Sequence, residues 1–437
     1  MKKLLLGIIA IFMLNSSFAQ ANEIKFIEYD LANGLHVILH EDHSTPIVAT
    51  SVMYHVGSKN ENPNRTGFAH FFEHLMFEGS KYVKRGMYDK YLQNVGGMNN
   101  ANTTQDRTYY YEVVPSNNLE LTLWLESERM LHAKVDSVGI ETQREVVKEE
   151  KRQRIDNQPY GSLMKEAFAH AYKVHPYKWP VIGSMEHLNA ASNDDFVNFY
   201  NTFYVPNNAI LSIAGDINIQ EAKKMISKYF AGIPRGKNMI PRPTVVEPPL
   251  NGEVRDTIYD NIQLPGVIET YRIPAIGTAD FYSAYMLSKL LSGGESSRLN
   301  KAIKDEKQLA VYVGSFPYPL ENPGIHLVFA IVNMGTSPKV VEEAMDEEIE
   351  RVKNELISEK EFQKLRNMIE TEFVGDNTRM VGIAENLANY KMFYGDTHLI
   401  NTEMNKFMNV TKKDIQNVAK KYFNKNNRVV LYYLPKK

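Results

Sequence analysis

The segment SNDDFVNFYNTFYVPNNAIL (residues 192–211) recurs in a diverged form, TKKDIQNVAKKYFNKNNRVV (residues 411–430), near the end of the chain. The two segments align without a gap, and Ser192 matches Thr411, either of which can cap the start of a helix. In both, a helical spacing of apolar residues gives way to an Asn-Asn pair and an apolar run typical of a strand. The alignment therefore predicts that one helix–strand unit occurs twice.

A second, looser alignment occurs in the same order along the chain. FFEHLMFEGS (residues 71–80) matches MLSKLLSGGES (residues 286–296), and Glu73 and His74 fall on Ser288 and Lys289. Two ordered matches predict a duplicated α+β unit whose second copy lacks the polar residues of the first.

A proline-rich stretch separates the two copies. IPRGKNMIPRPTVVEPPLNGE (residues 233–253) holds five prolines and has little apolar periodicity, which predicts an extended linker. We therefore expect an N-terminal domain over residues 22–232, a linker over 233–253 and a homologous C-terminal domain over 254–437.

The fold class follows from strand and helix patterns that alternate within each copy. Residues 34–58 show the alternation of two strands joined by a turn, whereas residues 118–132 show helical periodicity. The sequence predicts an α+β protein with two α/β-sandwich domains, each a mostly antiparallel sheet with helices on one side.

The first residues, MKKLLLGIIAIFMLNSSFAQA (residues 1–21), predict a cleaved signal peptide and export, most simply to a bacterial periplasm. The alternative, a membrane anchor, is disfavoured because eleven apolar residues (positions 4–14) are too few to span a bilayer. No later run approaches that length, so we expect no membrane span after cleavage.

Charge and cysteine content narrow the function. The formal net charge is −2, and the signal segment carries two lysines and no acid. Such a chain has no basic surplus for binding nucleic acid. It also has no cysteine, which excludes a thiol nucleophile, a disulfide framework and a lipid attached to cysteine.

FAHFFEHLMF (residues 68–77) places two histidines and a glutamate on one face of an apolar helix. His70 and His74, one turn apart, can reach a single metal ion, and Glu73 lies beside them. Thr66 is expected to cap this helix. The alternative, two core histidines satisfied by a carboxylate, is harder to reconcile with so many buried polar groups on one face.

A catalytic zinc site needs a third protein ligand. The acid-rich helix predicted over residues 138–156 offers one, and Val146 and Val147 mark its expected buried side. Glu150 lies closest to that side, and Glu149 is the alternative.

Longer segments surround these residues and resemble the insulinase/pitrilysin family of metallopeptidases, whose inverted zinc motif is HxxEH. The resemblance is closest to short, two-domain bacterial members that are similar to subunits of the mitochondrial processing peptidase. The supporting segments are RTGFAHFFEHLMFEGS, GGMNNANTTQDRTYYYEVVP, WLESERM, HPYKWPVIGS and GGESSRL.

The resemblance implies a zinc metalloendopeptidase that hydrolyses unfolded peptides or small proteins through a zinc-activated water. It implies one Zn²⁺ per chain, with Glu73 as the general base. It assigns the metal ligands as His70, His74 and Glu150. Gln143 takes the place of a family glutamate that supports the ligands, and an amide there cannot supply charge.

Asn100 and Ala101 lie where the family presents a strand edge to substrate, so the resemblance implies that their backbone pairs with an extended peptide. Without the resemblance, residues 99–104 would be interpreted as a polar turn.

One departure from the family concerns an Arg and a Tyr spaced seven apart, which fall here on Lys304 and Val311. Tyr312 is adjacent but should point to the other face of its strand. We therefore expect a heterodimer in which a related subunit supplies the Arg/Tyr pair. The alternatives are a homodimer that uses Lys304 and Tyr312, and a non-catalytic peptide-binding or scaffold subunit.

Overall fold

The structure, a computed structural model, describes residues 23–436. The predicted signal peptide, residues 1–21, lies outside the described residues. No helix within the described part combines the length and hydrophobicity needed to cross a membrane.

The first half of the chain builds one sheet and a set of helices. Its strands are β1 (Ile27–Asp30), β2 (His36–Glu41), β3 (Ile47–Tyr54), β4 (Met98–Thr103), β5 (Thr108–Pro115) and β6 (Ala209–Gly215). Its helices are α1 (Phe68–Leu75), α2 (Tyr88–Asn94), α3 (Leu119–His132), α4 (Ser137–Lys151), α5 (Leu163–Ala171), α6 (Met185–Ala190), α7 (Asn193–Phe203) and α8 (Ile219–Phe230). The strand order is β1-β2-β6-β3-β5-β4, which leaves β4 at an edge.

The second half repeats this plan. Its strands are β7 (Val254–Asp260), β8 (Gly266–Arg272), β9 (Ala310–Tyr318), β10 (Ile325–Val332) and β11 (Arg428–Pro435). Its helices are α9 (Ala279–Ser292), α10 (Pro338–Asn354), α11 (Glu359–Asp376), α12 (Met380–Asn389), α13 (Leu399–Met408) and α14 (Lys412–Tyr422). The strand order is β7-β11-β8-β10-β9, with β9 at an edge.

The two sheets have the same topology once β1 is set aside. In each, the first strand runs parallel to the last (β2 with β6, β7 with β11), and the other neighbours are antiparallel. This confirms the predicted α+β fold of two homologous, mostly antiparallel sandwiches.

The repeated helix–strand unit shows the duplication at atomic detail. The Ser192 side chain caps α7 by accepting the Asp195 N–H, and the Thr411 side chain caps α14 by accepting the Asp414 N–H, three residues later in each case. After each helix an asparagine side chain, Asn208 or Asn427, donates to a carbonyl near the helix end at 2.8 Å. These shared bonds turn each chain segment from the helix into the final strand.

Each sheet is covered by helices on both faces. On one face of each sheet, the covering helix comes from the other half of the chain. The face of the first sheet that includes Ile38 and Met53 packs against α12 and the start of α13. The outer face of the second sheet packs against α5, where Phe168 is buried. Strand residues facing either way are therefore buried, as in β2, where Val37 and Ile38 are both inaccessible.

The segment between the sheets, residues 233–253, forms neither helix nor strand. It is nevertheless attached to the fold, because Glu247 accepts three backbone N–H groups from Lys173, Val174 and His175 at 2.7–2.9 Å. The domain limits at residues 22–232, 233–253 and 254–437 stay a prediction.

Candidate metal centre

Helix α1 is held at its start by a buried acid from the preceding loop. The N-cap is Gly67 rather than the predicted Thr66, whose hydroxyl bonds instead to the His187 ring. The Glu61 carboxylate accepts the Gly67 and Ala69 N–H groups at 2.8 Å each. Gly67 has φ +98°, and a Cβ there would lie 2.8 Å from the Ile182 carbonyl oxygen. A side chain therefore cannot be placed at this corner.

Aromatic packing fixes which face of α1 is turned towards α4. Phe68 stacks on Phe196 of α7 with ring centroids 4.6 Å apart, and Phe71 packs against the same ring in a tilted arrangement at 4.7 Å. The Phe72 carbonyl accepts the Tyr110 hydroxyl at 3.1 Å. Because these phenyl rings pack into the core, the opposite face of α1 presents His70 and His74 to α4.

Three predicted ligands converge between α1 and α4. The ligand atoms of His70, His74 and Glu150, here called the His–His–Glu triad, lie within 4.8 Å of one another. Glu150 Oε2 is 3.0 Å from His74 Nε2 and 3.4 Å from His70 Nε2. This oxygen is buried without a hydrogen-bond partner among the described residues. Two imidazole nitrogens and a carboxylate oxygen facing one point fit Zn²⁺.

The prediction that Val146 and Val147 mark the buried side of α4 is only partly correct. Val147 is fully buried, but Val146 is 42% exposed, so the apolar side of α4 is narrower than expected. The alternative ligand, Glu149, points to solvent and bonds to Arg152 and Gln153. Geometry therefore favours Glu150.

The electrostatics of the triad also suit a cation. Burial lowers the pKa of His70 to about 4, so its imidazole is neutral at pH 7. The nearby His74 ring, helped by Arg154, holds the pKa of the Glu150 carboxyl below its usual range. Arg154 Nη1 contacts Glu150 Oε1 at 2.7 Å. His70 thus offers a neutral nitrogen and Glu150 an anionic oxygen.

Glu73 lies beside the triad and is oriented by the sheet. The Thr103 hydroxyl, at the end of β4, donates to Glu73 Oε2 at 2.6 Å. Burial raises the pKa of the Glu73 carboxyl, which makes the carboxylate a stronger base. No sequence pattern indicates this role for Thr103, although it lies two residues after Ala101, which is predicted to bind substrate.

A cleft of about 240 Å³ opens in front of these residues. Glu73 and His74 line one wall, and Asn100 and Ala101 on edge strand β4 line the other. The Ala101 N–H donates to the Asn100 side-chain oxygen at 2.8 Å, so this backbone donor is directed away from the neighbouring strand. The structure therefore places both predicted substrate-binding residues beside Glu73 and His74.

Gln143 lies two turns before Glu150 on α4, and its amide donates to Glu78 just beyond α1. Glu78 also pairs with Arg85. Gln143 therefore ties α4 to the end of α1 and does not bond to either histidine.

The positions that replace the family Arg/Tyr pair lie in the second half. Lys304 is in the π-helical turn Asn300–Glu306. A bulge in the β9–β10 pairing skips Val311, and Val311 and Tyr312 are 45% and 53% exposed. Because the bulge interrupts the strand alternation, both side chains reach solvent at the edge of the second sheet.

A second group of side chains in the described chain is close enough together to hold a metal ion, but an arginine already neutralises it. Glu269, Glu342 and Asp346 bring their oxygens together, and the Arg428 guanidinium pairs with all three. A cation of the chain itself thus occupies that position.

Comparison with known families decides the relationship. Residues 36–184 match the sequence model of "Insulinase (Peptidase family M16)", and residues 190–369 match "Peptidase M16 inactive domain". The chain belongs to the M16 family. Its zinc motif lies in the first matched region, and its second half corresponds to the region described as inactive.

Relatives within the M16 family are named as proteases. "Zinc protease PqqE" of Helicobacter pylori is 31% identical over 443 residues, covering 99% of each chain. The crystal structure of a protease from Helicobacter pylori has a TM-score of 0.90 at 30% identity, covering 94% of this chain and 100% of that one. The periplasmic protease PqqL of Escherichia coli shares the fold at a TM-score of 0.77 and 18% identity, covering 95% of this chain and 48% of that one.

Proposed function

We propose that this chain is a zinc metalloendopeptidase that cleaves unfolded peptides or small proteins. The observation that carries the proposal is the His–His–Glu triad, whose ligand atoms lie within 4.8 Å of one another, with the buried Glu150 Oε2 facing both imidazoles. Such a set holds one Zn²⁺ per chain and leaves a coordination position for water or substrate. A zinc ion bound there supplies Lewis-acid catalysis at the scissile carbonyl.

Glu73 performs the proton transfers. Thr103 holds Oε2, so we assign Oε1 as the oxygen that takes a proton from the attacking water. The same carboxyl then passes the proton to the leaving amine. Its pKa, raised by burial, suits the first step because it makes the carboxylate a stronger base.

Substrate binds as an added strand on β4. Its edge is exposed at Asn100 and Ala101, next to Glu73 and His74. An incoming peptide backbone replaces the Asn100 side chain as partner of the Ala101 N–H. Only an extended segment can pair in this way, which is why we propose unfolded peptides as substrates.

We further propose that a second, related subunit supplies the Arg/Tyr pair and that the protein is exported to the periplasm. The subunit proposal rests on Lys304 and Val311, which offer no guanidinium fork and no hydroxyl. The export proposal rests on residues 1–21. A homodimer and a non-catalytic subunit remain the alternatives.

The deciding experiment measures cleavage of a quenched, unstructured peptide by wild type and Glu73→Gln, with zinc content measured on both. We expect one zinc per chain in both proteins and cleavage that Glu73→Gln abolishes. Zinc with no cleavage by the chain alone directs the search to the partner subunit. A wild-type chain without zinc would contradict the proposed site.

A further inference from the structure

The two oxygens of the Glu150 carboxylate have different partners. Oε2 faces the Nε2 atoms of His70 and His74 at 3.4 and 3.0 Å. Oε1 faces away from them and is bonded by Arg154 Nη1 at 2.7 Å. The carboxylate is thus divided between the proposed metal position and one guanidinium.

Arg154 reaches Glu150 from the turn that follows α4. Residues Arg152–Asp156 continue the helix with π-helical geometry, and Arg154 is four residues after Glu150. The Glu150 side chain is 15% exposed, whereas that of Arg154 is 78% exposed. An ion pair with so exposed a partner adds little to the stability of the fold, so its consequence lies in the orientation of Glu150.

The neighbouring basic residues, Lys151 at the end of α4 and Arg152 in the turn, do not share this arrangement. Arg152 pairs with the exposed Glu149 at 3.0 Å, and Lys151 pairs with Asp156 at 2.6 Å. Both pairs lie apart from the triad. Arg152 therefore provides a matched control, with the same side chain, the same turn and an acid that faces solvent.

We propose that Arg154 is a positioning residue that holds Glu150 in one rotamer and restricts it to binding the metal through Oε2 alone. The inference rests on the proposed zinc site. With Oε1 engaged by the guanidinium, the carboxylate is preorganised as a single-oxygen ligand. Outer partners of metal ligands typically change metal affinity by about 10- to 100-fold when removed.

The test compares Arg154→Met, Arg154→Lys and Arg152→Met with wild type. Zn²⁺ affinity is measured on the metal-free proteins by competition with a chromophoric chelator. The visible absorption of the Co²⁺-loaded proteins reports the ligand set, and thermal unfolding of the metal-free proteins reports the fold.

We expect Arg154→Met to bind Zn²⁺ about 10- to 100-fold more weakly and to shift the Co²⁺ spectrum, because both carboxylate oxygens become available. Arg154→Lys, which keeps a charged donor, should recover most of the affinity. Arg152→Met should match wild type, and thermal unfolding should be the same for all.

Wild-type affinity and an unchanged spectrum in Arg154→Met would overturn the role of Arg154 while leaving the zinc site intact. An equal loss in Arg152→Met would overturn it too, since the effect would then be one of general charge. If wild type binds no Zn²⁺, the proposed metal site fails and this inference fails with it.

Discussion

Equivalent pairs of helices in the two halves of the chain carry different polar groups. In the first half, α1 and α4 present the His–His–Glu triad with an unsatisfied oxygen at its centre. In the second half, α9 and α11 present Tyr285, Lys289 and Glu372 at the matching place. Glu372 accepts the Tyr285 hydroxyl at 3.3 Å and pairs with the Lys289 ammonium.

The difference shows what separates a metal site from a structural ion pair on one scaffold. Glu372 is satisfied by a covalently attached cation and a hydroxyl, so nothing in that group calls for an ion. Glu150 pairs with Arg154 through Oε1, whereas its Oε2 faces the His70 and His74 imidazoles rather than an ammonium or guanidinium group of the described residues. A metal site therefore depends on keeping one carboxylate oxygen free of a side-chain cation while the arrangement of the two helices is retained.

The largest effect is expected when the tyrosine and lysine of the second half are introduced at the positions of the two histidines in the first half. The double variant His70→Tyr with His74→Lys should lose zinc and peptidase activity completely, because a lysine would pair with Glu150 as Lys289 pairs with Glu372. Metal content and thermal unfolding measure the two effects, and the fold should persist. Tyr285→Phe with Lys289→Met is the control and should keep wild-type zinc. Zinc retained by the first-half variant would contradict the comparison.

A second prediction concerns the helices exchanged between the halves. Leu387 of α12 is fully buried against the first sheet although it belongs to the second half. Leu387→Ala should lower the free energy of unfolding by about 2–5 kcal/mol, as for other buried leucines. Chemical denaturation measures this, with Val374→Ala, 48% exposed on α11, as the control. Equal stability of the two variants would show that α12 is dispensable to the first sheet.

The smallest effect is expected at Glu73, the proposed general base. Thr103→Val removes the hydroxyl that orients Glu73 and should lower kcat about 10- to 100-fold with zinc content unchanged. Ser288, which replaces Glu73 in the second half, donates to the Ser315 carbonyl at 3.0 Å. Ser288→Ala is therefore the control and should leave kcat unaltered. A similar loss in both variants would point to a general change in the fold.

The sequence predicted what depends on local spacing. His70 and His74 share a helix, so their approach follows from a single turn, and the paired Ser192 and Thr411 segments revealed the duplication. Choosing Glu150 over Glu149 rested on the direction of one helical face together with the spacing that the family resemblance implies, and Val146, one of the two residues that marked that face, is exposed. These features involve few residues and short sequence separations.

Contacts made across long separations were not predicted. One shorter contact was also not predicted, because it depends on how a loop folds: Glu61 accepts the N–H groups of Gly67 and Ala69, six and eight residues later, and no pattern near Thr66 indicates this. The amphipathic faces of α5 and α12 reveal that they are buried but not which sheet they cover. Likewise, the orientation of Thr103 depends on how β4 lies against α1, and the exposure of Tyr312 depends on a bulge.

The exchange of α5 and α12 also has a consequence for how the chain matures. During synthesis, the strands of the first sheet are complete at Gly215, yet the residues that cover its face around Ile38 begin only at Met380. Until then an apolar surface stays open to water, a state that favours delayed folding and binding by chaperones. A chain truncated before Met380 would keep that surface exposed and aggregate. Burial of this face of the first sheet is thus complete only once the second half has been made.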